Sequence, residues 1–157
     1  AIFKYAESLR HLGRFKDAVH WYKRLTALIP EDKTVFYLQG VCHAHIGEHE
    51  RAMECLDQAM KQEKNFPEIH YLRGLLQIAM EKWDDAIQSF TTSIENGHNV
   101  CKSWIMRGRS HLGQGNKEEC AKCYDNAIKI NKEEAVSCLE VVNKMFHKKE
   151  KGTPLDL

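Results

Sequence analysis

Cys42, His43, His45 and His49 crowd into the stretch QGVCHAHIGEHE, residues 39 to 50, and Cys120 with Cys123 forms the string CAKC further on. On one unbroken helix Cys42, His45 and His49, spaced by three and four, would share a face and offer three ligands to a tetrahedral zinc. Gly47 falls between His45 and His49 and is expected to end the helix there, so the stretch is read as packing and surface imidazoles. The C-x-x-C pair has no strand and turn before it, as a thioredoxin-like motif needs, and no second pair to complete a zinc ribbon. No Gly-rich phosphate loop, no H-E-x-x-H, no G-x-S-x-G and no nucleophile paired with a base occurs; LGQGNKEE lacks the lysine and hydroxyl of a phosphate loop. The sequence is therefore read as non-enzymatic, with no metal and no cofactor, and the question becomes which larger pattern places these residues.

The chain of 157 residues has the length of one ordinary domain, and 23 basic against 22 acidic side chains leave a net charge of +1. Such a balance gives no global field for nucleic acid or an anionic membrane, so neither is expected as a partner. No apolar run approaches the roughly 20 residues that span a bilayer, and AIFKYAESLRHLG has neither the charge order nor the length of a signal peptide. The six cysteines lie inside expected helices rather than in loops and are read as reduced thiols of a cytoplasmic protein. The opening, directly in a helical pattern and without an initiator Met, is read as part of a longer chain or multiprotein complex.

Self-similarity organises the whole sequence. Ala6, Gly40, Gly74 and Gly108 are separated by 34 residues, and so are Ala18, Ala52, Ala86 and Cys120, and Tyr22, Leu56, Phe90 and Tyr124. Within one period, Phe36, Gly40, His43 and Ile46, then Ala52, Cys55, Leu56 and Ala59, recur at helical spacing, with IGEH between them as a turn. Each period is thus a helical hairpin, and the small residues mark where its two helices cross. A glycine inside a helix costs about 1 kcal/mol against alanine, so close approach of the partner helix is the expected compensation.

The small residue of the first helix (Ala6, Gly40, Gly74, Gly108), the turn glycine (Gly13, Gly47, Gly115), the alanine of the second helix (Ala18, Ala52, Ala86), the bulky residue after it, the later small residue (Ala59, Ser93, Ala127) and one closing proline, Pro30, resemble the tetratricopeptide repeat family. Glu81 stands in place of the third turn glycine and Cys120 in place of the fourth alanine. The resemblance implies an all-α, right-handed superhelical solenoid of four hairpins, at 1–32, 33–66, 67–100 and 101–134. A capping helix is expected at 135–148, where Ala135, Leu139, Val142 and Met145 alternate with polar residues, and a disordered tail at 149–157. Pro154-Leu155-Asp156-Leu157 resembles the short motif read by C-terminal-binding-protein corepressors, although the usual following serine is absent; it is read as linker. The basic run Lys144, His147, Lys148, Lys149 and Lys151 is read as a solvated helix end.

In this family the first helices line a concave groove. By resemblance its walls here include Tyr37, Val41 and His45, then Glu68, Tyr71, Leu75 and Ile78, then Lys102, Ile105 and Arg109. The lysines and asparagines with which one subclass grips the carboxylate tail of heat-shock chaperones are missing: the corresponding places carry Phe3, Glu7, Leu38, Val41, Glu68 and Leu72. The implied function is a protein-interaction scaffold holding a helical or extended apolar peptide segment in the groove. The alternative is that this block is the regulatory or substrate-binding arm of a larger enzyme whose catalytic domain lies outside it.

Overall fold

The computed structural model describes residues 1–64 and 66–150, and within 146–150 the backbone alone. The tail expectation and the Pro154–Leu157 motif fall largely or wholly outside the described residues. Among them all regular structure is helical: α1 (Ile2–His11), α2 (Phe15–Leu28), α3 (Lys33–His45), α4 (His49–Gln62), α5 (Pro67–Ala79), α6 (Trp83–Glu95), α7 (Val100–Gly113), α8 (Lys117–Ile130) and α9 (Lys132–Glu150). They form two compact units, one from Ala1 to Ile69 and one from His70 onward. None of the described helices is long and apolar enough to cross a membrane.

The turns inside the hairpins repeat with the sequence. Arg14, Glu48, Lys82 and Asn116, each 34 residues apart, donate their backbone N–H to the carbonyls of Leu9, His43, Gln77 and His111 at 2.9, 3.0, 2.8 and 2.9 Å. That bond closes the first helix and requires a left-handed residue just before the donor. Gly13, Gly47 and Gly115 fill this place at φ of 74°, 80° and 82°, and Glu81 is forced into it at 58°. The third repeat thus keeps the turn without its glycine, at the cost of a strained side-chain-bearing residue. Glu81→Gly is expected to stabilise the protein by about 1 kcal/mol, raising the melting temperature by about 2–4 °C. An unchanged or lower melt would mean that the glutamate's own interactions outweigh the strain.

At the starts of α3, α8 and α9, side chains fill unpaired donors. Asp32 Oδ1 accepts from the backbone N–H groups of Thr34 at 2.9 Å and Val35 at 3.2 Å, Asn116 accepts from Glu119 at 3.2 Å, and Asn131 accepts from Glu134 at 3.1 Å to start α9.

The core of each unit is built from the recurring positions. In the first, Ala6, Ala18, Tyr22, Ala52, Leu56 and Ala59 have no exposed surface, and in the second the same holds for Ala86, Phe90 and Ala127. A methyl carbon added to Gly40 would sit 3.2 Å from Leu56, one on Gly74 2.6 Å from the Phe90 ring, and one on Gly108 2.7 Å from the Tyr124 ring. The small residue of the first helix is therefore the seat for the bulky residue of the second. Successive hairpins are keyed in a parallel way. Phe15 stacks on His45 with ring centres 4.2 Å apart, and Trp83 lies so close to Gly113 that a methyl carbon there would be 2.7 Å from the indole. Ser93, the buried small residue of the third repeat, donates to the His98 carbonyl at 2.8 Å and receives the Ser103 hydroxyl at 3.0 Å, so both of these buried hydroxyls are paired.

Candidate functional site

The residues of QGVCHAHIGEHE do not converge. Cys42 is fully buried against α2, and burial pushes its thiol up to about 11, so it is a protonated packing residue at neutral pH. His43, 2% exposed, places Nδ1 2.6 Å from the Glu48 carboxylate across the turn, and Glu48 also accepts from Arg51 at 3.0 Å. The hydrogen bond from His43, with Arg51 in support, holds the Glu48 carboxyl below its usual range. A carboxylate favoured in the folded state stabilises above the ordinary carboxylate range, and that contribution is lost as the pH falls through the lowered value. His45 is occupied by the Phe15 ring, and His49 starts the next helix beyond Gly47. Among the described residues, no three His, Cys, Asp or Glu side chains are placed to hold a metal ion. Cys120 and Cys123 are buried at 5% and 2% exposure on α8, both as free thiols. Cys120 fills the alanine place of its repeat.

The groove residues separate by unit. In the first, Tyr37 and Val41 on α3 are half-buried, with the Tyr37 ring centre 5.2 Å from that of Phe66, and Glu68 is half-buried near the start of α5. Burial, reinforced by the Glu68 charge, raises the Tyr37 phenol, so it is a neutral donor and acceptor throughout the physiological range. His45 is exposed at its edge. In the second unit, Tyr71 and Leu75 on α5 are half-buried, Lys102 at the start of α7 is exposed and Arg109 is half-buried. Ile78 and Ile105, placed on the groove wall by resemblance, have 2% and 0% exposure and belong to the core beneath it. Tyr71 and Leu75 pack against the cluster that contains them.

A cleft of about 390 Å³ opens in the second unit, lined by Tyr71 and Leu75 of α5, Lys102 and Met106 of α7, and Glu134, Ser137, Cys138, Val141, Val142 and Met145 of α9. Its floor is apolar, and its charged groups stand at the rim. The Tyr71 ring rests edge-on against Phe90, centres 5.8 Å apart, and burial raises its phenol strongly, so its hydroxyl also stays protonated. The α9 contribution went unforeseen as site, since that segment reads from sequence as a cap. The signal was nevertheless there: Cys138, Val141, Val142 and Met145 fall at i, i+3, i+4 and i+7, a helix stripe.

Known proteins agree with this architecture. The sequence profile described as anaphase-promoting complex, cyclosome, subunit 3 matches residues 11–93, and the profile described as tetratricopeptide repeat matches residues 101–140. No curated protein sequence matched significantly. Among solved structures, a MamA protein superposes with a TM-score of 0.79 at 21% identity, over 85% of this chain and 78% of that one. MamA from residue 41 to its end, of Desulfovibrio magneticus RS-1, gives 0.78 at 14% identity, over 98% and 96%. A tetratricopeptide repeat protein from Parabacteroides merdae gives 0.74 at 19% identity, over 82% of this chain and 50% of that one. At such identities these structures speak to the fold. With the profile matches, the helix order and the 34-residue recurrence of turn, crossing and core, the chain belongs to the tetratricopeptide repeat proteins, within the family described as anaphase-promoting complex, cyclosome, subunit 3.

Proposed function

We propose that the chain is a protein-interaction scaffold whose second unit takes a helical or extended apolar segment of a protein partner into the cleft between α5, α7 and α9. The observation that carries this reading is the open apolar cleft itself: Tyr71, Leu75 and Met106 form a floor wide enough for one or two large side chains, with Lys102 and Glu134 at the edge. A site for a small polar metabolite would bring several buried polar groups to one point, whereas here the polar lining groups Lys102, Glu134 and Ser137 are all exposed. Tyr71 supplies large contact area with few rotamers to freeze and a hydroxyl able to pair with a peptide backbone.

The test is capture of partners on the full chain and on two variants, Leu75→Asp and Lys61→Ala, followed by synthesis of the segment bound and measurement of its affinity. An aspartate on the floor would desolvate an unpaired charge when the cleft closes on an apolar segment. Leu75→Asp is expected to weaken binding at least about tenfold, while Lys61→Ala, exposed on α4, leaves it unchanged. Partners retained at full affinity by Leu75→Asp would reject the cleft as their site.

A further inference from the structure

In each complete hairpin the crossing residue of the first helix faces the second helix of its own hairpin: Gly40 meets Leu56, Gly74 meets Phe90 and Gly108 meets Tyr124. Val142 of α9 lies 34 residues after Gly108 and so holds the same place, yet no second helix follows it among the described residues. Its side chain is nonetheless only 3% exposed. It joins the core cluster of Phe90, Ile105 and Met106 and, with Cys138, Val141 and Met145, lines the cleft that Tyr71 and Leu75 also line. The stripe of α9 thus lies alongside the candidate binding floor and forms one wall of the cleft.

We propose that the partner of this cleft is an amphipathic helix carrying the stripe that α9 carries, and that it binds by exchange with α9. This rests on the cleft reading above and adds the chemistry of the ligand. The features of α9 define it: apolar residues of moderate size at i, i+3, i+4 and i+7, as at Cys138, Val141, Val142 and Met145, and an acid one turn earlier, as at Glu134, to stand near Lys102. A larger aliphatic or aromatic residue in place of Cys138 or Val141 would fill the cleft volume that α9 leaves open.

Three observations make α9 displaceable. The cleft of about 390 Å³ persists beside it. Val141 lines that cleft yet is 55% exposed, so α9 seats its stripe incompletely. Among its described side chains only Ala135, near the capped start, and Val142, about two turns on, are buried, with Cys138 and Leu139 half-buried against the same cluster. Release of Val142 frees the distal part of the helix, while Ala135 and the Asn131 cap hold its beginning. The floor on α5 and α7 keeps its own support, because Tyr71 rests edge-on against Phe90 and Met106 shares a core cluster with Phe90 of α6 and Ala127 of α8.

The probe is a fluorescein-labelled peptide of residues 132–150, added to the full chain and to full-chain variants Val142→Ser and Val142→Asp, each verified as helical and cooperatively melting. A polar or charged group at Val142 ejects the resident helix and leaves the floor intact. Peptide affinity is expected to rise in the order wild type, Val142→Ser, Val142→Asp, by at least tenfold across the series, and to vanish in Val142→Asp combined with Leu75→Asp. Hydrogen exchange of the resident 138–145 segment in the wild-type chain is expected to quicken when saturating peptide is present. Equal affinity across the series, with unchanged exchange, would overturn exchange with α9 while leaving the cleft reading to its own partner test. Absence of peptide binding to every variant would overturn the stripe as the ligand's chemistry. If partners also ignore Leu75→Asp, the cleft reading itself has failed.

Discussion

Gly74→Leu will unfold the second unit at a markedly lower temperature, with a loss of at least about 1–3 kcal/mol typical of overpacking. The reason is geometric. Even a methyl carbon at position 74 would sit 2.6 Å from the Phe90 ring, and Phe90 has no exposed surface into which to retreat. Gly40 is less tightly enclosed, its added methyl meeting Leu56 at 3.2 Å and the Ala52 carbonyl and Cys55 Cβ at 3.3 Å, so Gly40→Ala should cost less than Gly74→Ala. A double substitution isolates the contact. Phe90→Ala alone should cost about 3–5 kcal/mol as a cavity, but with Gly74→Leu present the leucine occupies part of that cavity. The pair should then be less destabilising than the sum by about 0.5–3 kcal/mol. Gln88→Leu, exposed on α6, serves as the additive control. Melting of Gly74→Leu no lower than that of Gln88→Leu, or strict additivity with Phe90→Ala, would mean that α5 and α6 do not cross at this point.

This contact was legible in the sequence, because one physical demand, a small residue facing a bulky one, repeats at fixed spacing and each copy testifies for the others. The turn geometry was legible for the same reason, including the departure at Glu81, which takes a glycine's conformation because the surrounding turn bonds leave it no other. Side chains that carry no periodic signal were harder. Gln77 reads from sequence as lying outside the crossing, yet it is 7% exposed, and its amide lies 2.6 Å from the Ser89 hydroxyl and within 3.1 and 3.3 Å of the Asp85 and Arg73 carbonyls. A polar residue is buried there because neighbouring groups satisfy it, and composition does not reveal such partners.

The groove residues show the same limit. Repeat position identifies the face on which Ile78 and Ile105 lie, but not that Tyr71 and Leu75 lie above them toward the cleft, since depth depends on side-chain length and on the neighbouring helix. The role of α9 was the least visible. Its apolar pattern predicts a helix with one buried face and says nothing of which surface that face covers, because a stripe on one helix does not name the elements it packs against.

Tyr71→Ala is expected to lower partner affinity about thirtyfold or more, the scale of a binding hot spot worth at least about 2 kcal/mol, with a smaller loss of stability than Phe90→Ala. The two aromatic rings are neighbours, 5.8 Å apart, yet they differ in what else they touch. Phe90 is wholly enclosed and fills the space that Gly74 leaves, while Tyr71 is half-buried and turns its remaining surface to the cleft. Truncating Phe90 opens a core cavity; truncating Tyr71 widens a space already open, so the penalty falls on whatever occupies it. Tyr37→Ala in the first unit, where the ring packs on Phe66, makes the matching test of that unit by itself. Affinity and melting temperature are to be measured for each variant beside Lys61→Ala. Lost affinity with a nearly unchanged melt assigns the tyrosine to binding. Intact affinity with a melt lowered as far as that of Phe90→Ala would make Tyr71 a core residue and remove the floor on which the partner is proposed to rest.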